Sequence, residues 1–191
     1  MPTWIRVVAA LLFTWSYSLS GPALADEFKL CARCHGADGN STKSNSPSIA
    51  GLDPGYAEEV MKDYRAGDRP CGLSSMKCKM AAKWSDEEIA AAAKHYGAMA
   101  RKAPDQAFDA GRAAAGEKLH EAQCQACHSQ EPAEGKPHGG LLSGQWREYL
   151  DYALNQYQEG VWSQPDEMKK ALAGLSADDR AALLDYYASG K

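Results

Sequence analysis

CARCH, at residues 31–35, and CQACH, at residues 124–128, are the two stretches that decide how this sequence folds. Each has two cysteines separated by two residues, and a histidine follows the second cysteine directly. Together they contain four of the six cysteines in the 191-residue chain. Any chemistry assigned to the pattern therefore occurs twice, once in each half of the chain.

The pattern C-x-x-C-H is the attachment motif of c-type haem. Its two thiols lie about one helical turn apart, which lets them add to the two vinyl groups of one haem. The predicted attachment residues are Cys31, Cys34, Cys124 and Cys127. His35 and His128 would then each give the iron a nitrogen ligand. The alternatives are a redox dithiol or a zinc site, but zinc would need a second cysteine or histidine pair in each half, and none is visible.

The two halves match beyond the motifs. Sixteen residues separate each motif histidine from a glycine, a tyrosine follows five residues later, another tyrosine eight later, and another glycine three later. The matched pairs are Gly51 and Gly144, Tyr56 and Tyr149, Tyr64 and Tyr157, and Gly67 and Gly160. An internal duplication explains this match. The sequence thus predicts two tandem domains, residues 21–102 and 103–191, each wrapped around one covalent haem.

Residues 1–20 have the character of a targeting segment. Arg6 provides a positive start, residues 7–15 are almost all apolar, and small residues allow cleavage after residue 20 or after residue 25. The apolar run is too short to span a bilayer comfortably, and no other stretch is apolar enough to do so. We therefore expect a signal peptide, a periplasmic location and no membrane span once the signal is removed.

The composition is that of a chain with both a core and a solvated surface, with 45% hydrophobic and 24% charged residues. The net charge is -4 and there is no long basic run, so we expect no nucleic-acid partner. Six cysteines in an exported chain would ordinarily suggest disulfides throughout, but four of them belong to the haem motifs.

Local patterns predict an all-α chain. Apolar positions at three- and four-residue steps predict helices over residues 54–66 and 145–159. Two capping-box patterns open the last helix of each domain, Ser85 with Glu88 and Ser176 with Asp179. Residues 101–116 join the domains, and the later part of this stretch begins the first helix of the second domain. No alternating strand pattern appears.

The iron of an electron carrier takes a second strong axial ligand, commonly methionine. In the second domain, Met168 is the only methionine after the haem motif, and it lies eight residues after Gly160 and eight before Ser176. In the first domain, Met76 lies nine residues from the matched glycine and nine from the matched serine, whereas Met80 lies thirteen and five away. We expect Met76 and Met168 as ligands. Met80 is the alternative to Met76, and otherwise a core residue at the start of the last helix.

Cys71 and Cys78 flank Met76. Two free thiols so close to a haem in the periplasm would be hazardous, so we expect a disulfide between them. That bond would limit the freedom of the unfolded loop and hold the methionine near the iron. The alternative is a cysteine thiolate as iron ligand, which would have to displace Met76.

The other ring nitrogen of each motif histidine also needs a partner. The carbonyl group of Pro47 is expected to accept a hydrogen bond from His35. Gly140 occupies the equivalent place in the second domain, which leaves open how His128 is held. The remaining histidines are expected to be solvated or structural, and they are His95, His120 and His138.

The tandem motifs resemble those of the two-haem class I cytochromes c of the bacterial periplasm. More closely, the chain resembles the cytochrome subunit of flavocytochrome c sulfide dehydrogenase. The supporting stretches are CARCHGADGNS (31–41), SPSIAGLDP (46–54), GEKLHEAQCQACH (116–128) and GQWREYLDYAL (144–154). The resemblance covers nearly the whole chain after the expected signal. It implies class I domains, with His35 and His128 as proximal ligands and methionines on the distal sides.

The resemblance also implies an electron-transfer subunit that catalyses no substrate chemistry by itself. Its partner would be an FAD-containing flavoprotein that oxidises sulfide, and it would pass electrons singly to a soluble carrier such as a small cytochrome c. Two other functions remain open. One is a stand-alone carrier that feeds a terminal oxidase. The other is a haem enzyme such as a thiosulfate dehydrogenase, which needs an open or unusually ligated iron, and Met76 and Met168 argue against it.

Two covalent haems are the first testable consequence. Because thioether bonds survive denaturation, the intact mass of the exported protein should exceed that of the polypeptide by two haem groups, and acid–acetone should extract neither. Recovery of a single haem would contradict the prediction for one of the two motifs.

Overall fold

The computed structural model describes residues 22–72, 74–129 and 139–191, with side chains from residue 28 onward in those ranges. The expected signal peptide at residues 1–20 and His138 lie outside the described residues. Within the described part the chain forms eight helices and no strand. They are α1 (Pro22–His35), α2 (Pro54–Ala66), α3 (Met76–Ala81), α4 (Asp86–Gly97), α5 (Ala110–Gln123), α6 (Arg147–Gln158), α7 (Asp166–Ala173) and α8 (Ala177–Ala188).

The helices begin and end where local sequence directs them. The Asp53 carboxylate accepts a hydrogen bond from the backbone N–H of Tyr56 and so caps α2, which ends at Gly67 in the left-handed conformation. Both predicted capping boxes are present, one at the start of α4 and one at the start of α8. The predicted helix over 54–66 is confirmed, and the one over 145–159 is present as α6.

The core of the first half lies where α2, α3 and α4 pack together. Its buried residues are Met80, Trp84, Ile89 and Ala92. Phe28 and Leu30 of α1 and Met61 of α2 pack against them. Met80 is thus a core residue, as predicted. The expectation that it begins the last helix is wrong, because it lies in α3 and four residues separate α3 from α4.

The second half is built on the crossing of α5 and α8, with α6 packed on α8 and α7 on α6. Gly116 lies at this crossing, where a Cβ atom would collide with the carbonyl group of Ala182. The absence of a side chain therefore lets the two helix backbones approach closely. Beside the crossing, Leu150, Leu183, Leu184 and Tyr187 form the buried core.

A buried carboxylate joins three helices of this half. Asp185 of α8 is 1% exposed and is paired with Arg112 of α5 at 2.6 Å and with Arg147 of α6 at 3.1 Å. Burial by itself would raise the pKa of Asp185, but the two guanidinium groups outweigh it and hold the pKa below the ordinary value. The charge on Asp185 therefore fixes the relative positions of α5, α6 and α8.

No helix in the described ranges is both long and apolar enough to cross a membrane.

Replacing Gly116 by Ala should destabilise the protein by about 1–3 kcal/mol, because the new methyl group overpacks the crossing against backbone that cannot move aside cheaply. Gly174→Ala is the matched control, since a Cβ there meets nothing closer than 3.6 Å. Chemical denaturation of the haem-loaded proteins, followed by circular dichroism, measures both. Equal stability of the two variants would show that the crossing is not tightly packed.

Candidate haem sites

The first motif occupies the last turn of α1, which ends at His35. The His35 ring N–H at Nδ1 donates to the carbonyl oxygen of Pro47 at 2.7 Å, as predicted. A neutral imidazole that donates from Nδ1 keeps Nε2 as a lone-pair donor, which is the form that binds a metal. Burial lowers the pKa of His35, against the opposing effect of the Pro47 carbonyl, and the positive charges of Lys77 and Lys43 lower it further. The ring is therefore held in the neutral form.

The loop that carries Pro47 is folded back on the motif. Gly36 has a φ of +80° and ends α1, and a Cβ there would collide with the backbone of Asn40. The Ser41 hydroxyl then donates to the carbonyl oxygen of Cys34 at 2.8 Å, and the Ser41 N–H donates to the Ser48 hydroxyl at 3.0 Å. These bonds fix the loop, and hence the Pro47 carbonyl, relative to the histidine.

The second motif follows α5 and has the same construction. The His128 ring N–H at Nδ1 donates to the carbonyl oxygen of Gly140 at 3.0 Å, again twelve residues further along the chain. His128 is therefore held in the same way as His35. A backbone carbonyl can accept this bond whether the residue is proline or glycine. Gly139 has no side chain, and a Cβ there would press on the His128 ring. Burial lowers the pKa of His128 against the effect of the Gly140 carbonyl.

The four motif cysteines are partly buried. The methionines predicted from spacing lie in short helices. Met76 is the first residue of α3 and is 46% exposed, and Met168 is partly buried in the first turn of α7. Met80, the alternative to Met76, is 8% exposed in the core of the first half.

The structure contains the predicted disulfide between Cys71 and Cys78, with their Cα atoms 5.8 Å apart. The bond joins the segment after α2 to the middle of α3, and Met76 lies inside the loop that it closes. No cysteine lies between Gly160 and Ser176 in the second half. The disulfide therefore lies beside the first site and has no counterpart at the second.

The remaining histidines differ in their surroundings. His120 is 8% exposed and its Nδ1 lies 3.0 Å from the Tyr187 hydroxyl, so it has a structural role in the α5–α8 packing. His95 is exposed on α4 and stacks on the ring of Phe28, with 4.4 Å between ring centroids.

The boundary between the two halves was not foreseen from the sequence. The side-chain amide of Gln145 accepts from the Ser48 N–H at 2.8 Å and donates to the Ser48 carbonyl oxygen at 3.0 Å. Next to it, the indole N–H of Trp146 donates to the carbonyl oxygen of Ser41 at 2.8 Å. Arg101 donates to the carbonyl oxygens of Ser48 and Leu141. Residues of the second half thus hydrogen-bond to the loop that positions His35.

A second part of the boundary is an aromatic cluster around one arginine. Arg69 is 7% exposed and its guanidinium carbon lies 3.7 Å from the ring centroid of Trp162. Arg69 also donates to the hydroxyl oxygens of Tyr64 at 3.3 Å and Tyr157 at 3.2 Å. We call Arg69, Tyr64, Tyr157 and Trp162 the boundary cluster. The repeat offered a signal for it, because Arg69 and Trp162 each lie two residues after a matched glycine.

The residues present fit c-type haem. Each half offers two thiols and one neutral imidazole in the order that the group requires. Two buried donors also lack a hydrogen-bond partner among the described residues, the indole nitrogen of Trp162 and Nε of Arg101. Unpaired buried donors are costly, and the propionate groups of a haem are anions of the kind that such donors bind.

Comparison with known proteins agrees with this donor set. Residues 111–186 match the family described as cytochrome c oxidase, cbb3-type, subunit III. Cytochrome c4 of Azotobacter vinelandii is 30% identical over 95% of both chains. This chain belongs to the cytochrome c4 family. The crystal structure of reduced recombinant cytochrome c4 from Pseudomonas stutzeri superposes with a TM-score of 0.72 at 25% identity, covering 88% of this chain and 97% of that one.

Three further similarities involve proteins of sulfur metabolism. The thiosulfate dehydrogenase electron acceptor of Stutzerimonas stutzeri is 33% identical, over 83% of this chain and 78% of its own. The thiosulfate dehydrogenase TsdBA of Marichromatium purpuratum superposes at a TM-score of 0.64 and 31% identity over 83% of this chain and 36% of that one. The cytochrome subunit of sulfide dehydrogenase from Chlorobaculum tepidum is 39% identical, over 40% of this chain and 62% of its own.

As a cytochrome c4-like protein, the chain has two class I cytochrome c domains and carries two covalently bound c-type haems, and it acts in electron transfer. A c-type haem, when bound, takes up and releases one electron at its iron. In each half, the two motif thiols and the motif imidazole are the residues that would hold such a group, and the hydrogen bonds of His35 and His128 keep both imidazoles neutral.

Proposed function

We propose that this cytochrome is the exported electron acceptor of a dehydrogenase that oxidises a reduced sulfur compound. It then passes the electrons one at a time to a soluble carrier such as a small cytochrome c. The observation that carries the proposal is that both proximal histidines are held by the same contact, on loops that meet at one boundary. Two one-electron sites held rigidly side by side suit the delivery of electrons from a two-electron oxidation.

The first candidate for the dehydrogenase is an FAD-containing flavoprotein that oxidises sulfide. It is supported by the resemblance of stretches such as GQWREYLDYAL to the cytochrome subunit of flavocytochrome c, and by the similarity to the sulfide dehydrogenase subunit of Chlorobaculum tepidum. In such a complex, the flavin would perform the sulfur chemistry, and this chain would accept single electrons from it.

The second candidate is a thiosulfate dehydrogenase. It is favoured by the similarity to the Stutzerimonas stutzeri electron acceptor, which extends over more of this chain than the sulfide dehydrogenase match does. Here the partner would be a separate haem enzyme, and this chain would again be the acceptor. The remaining alternative is a stand-alone carrier that feeds a terminal oxidase. It is supported by the similarity to several cytochromes c4.

We further propose the periplasm as the location, after removal of residues 1–20 or 1–25, and domain limits of 21–102 and 103–191. The signal-like composition of residues 1–20 supports the first. The second is supported by the interval between α4, which ends at Gly97, and α5, which begins at Ala110, because the most extensive helix packing lies among α2, α3 and α4 on one side of it and among α5, α6, α7 and α8 on the other.

For the axial ligands, we propose His35 with Met76 and His128 with Met168. Met80 is buried against Trp84 and Ile89, which agrees with the role of a core residue. Met76 instead lies beside Lys77, whose charge acts on His35, so the start of α3 is near the first site. The Cys71–Cys78 disulfide holds this part of α3 in place.

Met76→Ala should remove the methionine ligand from the first iron, so the weak far-red band of methionine-ligated ferric haem should fall by about half. Met168→Ala should remove a similar share from the other site. Met80→Ala is the control: it should leave the band intact and cost roughly 2–5 kcal/mol of unfolding free energy as a core truncation. Loss of the band in Met80→Ala, with retention in Met76→Ala, would reverse the assignment.

The partner can be identified by stopped-flow reduction of the purified oxidised protein. We expect both haems to be reduced rapidly when sulfide is added together with a sulfide-oxidising flavoprotein from the same host. Thiosulfate with its dehydrogenase is the parallel reaction, and each substrate without its enzyme is the control. Rapid reduction only in the thiosulfate reaction would select the second candidate. Reduction in neither, with rapid electron transfer to a terminal oxidase, would identify a stand-alone carrier.

A further inference from the structure

The boundary cluster contains one cation that both halves share. Arg69 extends from the end of α2 in the first half, but its guanidinium stacks on Trp162 and bonds Tyr157, both in the second half. Its third partner, Tyr64, is the repeat counterpart of Tyr157, and Trp162 is the repeat counterpart of Arg69 itself. The duplication has thus brought matched positions face to face, with a charge on one side and an aromatic ring on the other.

The positive charge of Arg69 is fixed, and no carboxylate in the described part of the chain compensates it. Arginine remains protonated in proteins, and the neutral groups around Arg69 do not cancel its charge. No carboxylate of the described residues pairs with it, although it is 7% exposed. Burial of an unpaired cation costs several kcal/mol in general. Because the guanidinium is buried, solvent screens its electric field only weakly.

Contacts lead from Arg69 toward both proximal histidines. On the first side, the Tyr64 hydroxyl that Arg69 contacts also accepts from Lys77 at 3.1 Å, and the charge of Lys77 acts on His35. On the second side, Tyr157 interacts with Tyr56, and the Tyr56 hydroxyl lies against Gly140, whose carbonyl holds His128. Arg69 is therefore connected to the first site through hydrogen bonds and the charge of Lys77, and to the second through Tyr157 and Tyr56.

Trp162 explains how a single guanidinium can occupy this position. A second arginine at the matched place would put two like charges in contact inside a buried cluster. The face of an indole ring instead attracts a cation and fills the same volume. With Trp162 rather than arginine at the matched position, the cluster contains one guanidinium, and both halves contact it.

We propose that Arg69 is a positioning and tuning residue that raises the reduction potential of both haem sites together, and that Trp162 holds it at the boundary so that its charge acts on both. The physical reason is that a nearby cation disfavours the ferric state, which carries one more positive charge than the ferrous state. This inference rests on haem attachment at both motifs and not on the identity of the partner dehydrogenase.

The test is a potentiometric titration of the haem-loaded full-length protein, with no partner present, combined with paramagnetic NMR to follow each ferric site separately. In Arg69→Gln, the ratio of ferric to ferrous haem at a fixed solution potential should rise at least about threefold at both sites. Arg69→Lys should keep both ratios near those of the unaltered protein, because it retains the charge. Arg65→Gln is the matched control, since Arg65 lies in α2 and already has a carboxylate partner, Asp86.

The outcomes separate the charge from the structure. A shift at only one site in Arg69→Gln would overturn the shared role. Equal shifts in Arg69→Gln and Arg69→Lys would show that the shape of the side chain matters rather than its charge, which also overturns the proposal. If Arg69→Gln does not fold, Trp162→Phe keeps the charge and a ring face. Both ratios should then stay close to those of the unaltered protein, and a change confined to one site would contradict sharing.

Discussion

The structure depends on one contact made twice, in which a motif histidine donates from Nδ1 to a backbone carbonyl twelve residues further along the chain. The bond keeps the imidazole neutral and leaves its other nitrogen as a lone-pair donor, the form that binds a metal. In the first half it also requires the intervening loop to fold back on α1, and Ser41 and Ser48 hold that loop. In the second half, the absence of a side chain at Gly139 leaves room for the His128 ring.

The same loops form the boundary between the halves. The side-chain amide of Gln145 hydrogen-bonds both the backbone N–H and the carbonyl group of Ser48, as a neighbouring backbone would. Ser48 lies one residue after Pro47. The residues that fix each imidazole are consequently also those that fix one domain on the other. A change in domain orientation would disturb the histidines, so the two redox sites are expected to behave as parts of one rigid unit rather than as tethered modules.

The two halves match in the residues of the haem motifs and differ at two other places. Only the first half has a disulfide around its proposed methionine ligand, between Cys71 and Cys78. Arg69 and Trp162 occupy matched places with unlike chemistry, and meet each other across the boundary. The disulfide therefore gives the two sites unequal surroundings, whereas the contact between Arg69 and Trp162 is common to both halves.

The sequence by itself determined the haem motifs, the tandem repeat, the capping boxes and the limits of α2, because these features follow from short local patterns or from the recurrence of one pattern. It also indicated the disulfide and the Pro47 contact. Only the tertiary structure decided that Met80 belongs to α3, that a carbonyl also holds His128, and that Arg69 is buried. The pairing of Ser48 with Gln145 joins residues 97 positions apart. No local periodicity encodes such a contact, because it exists only once two separately folded surfaces have docked.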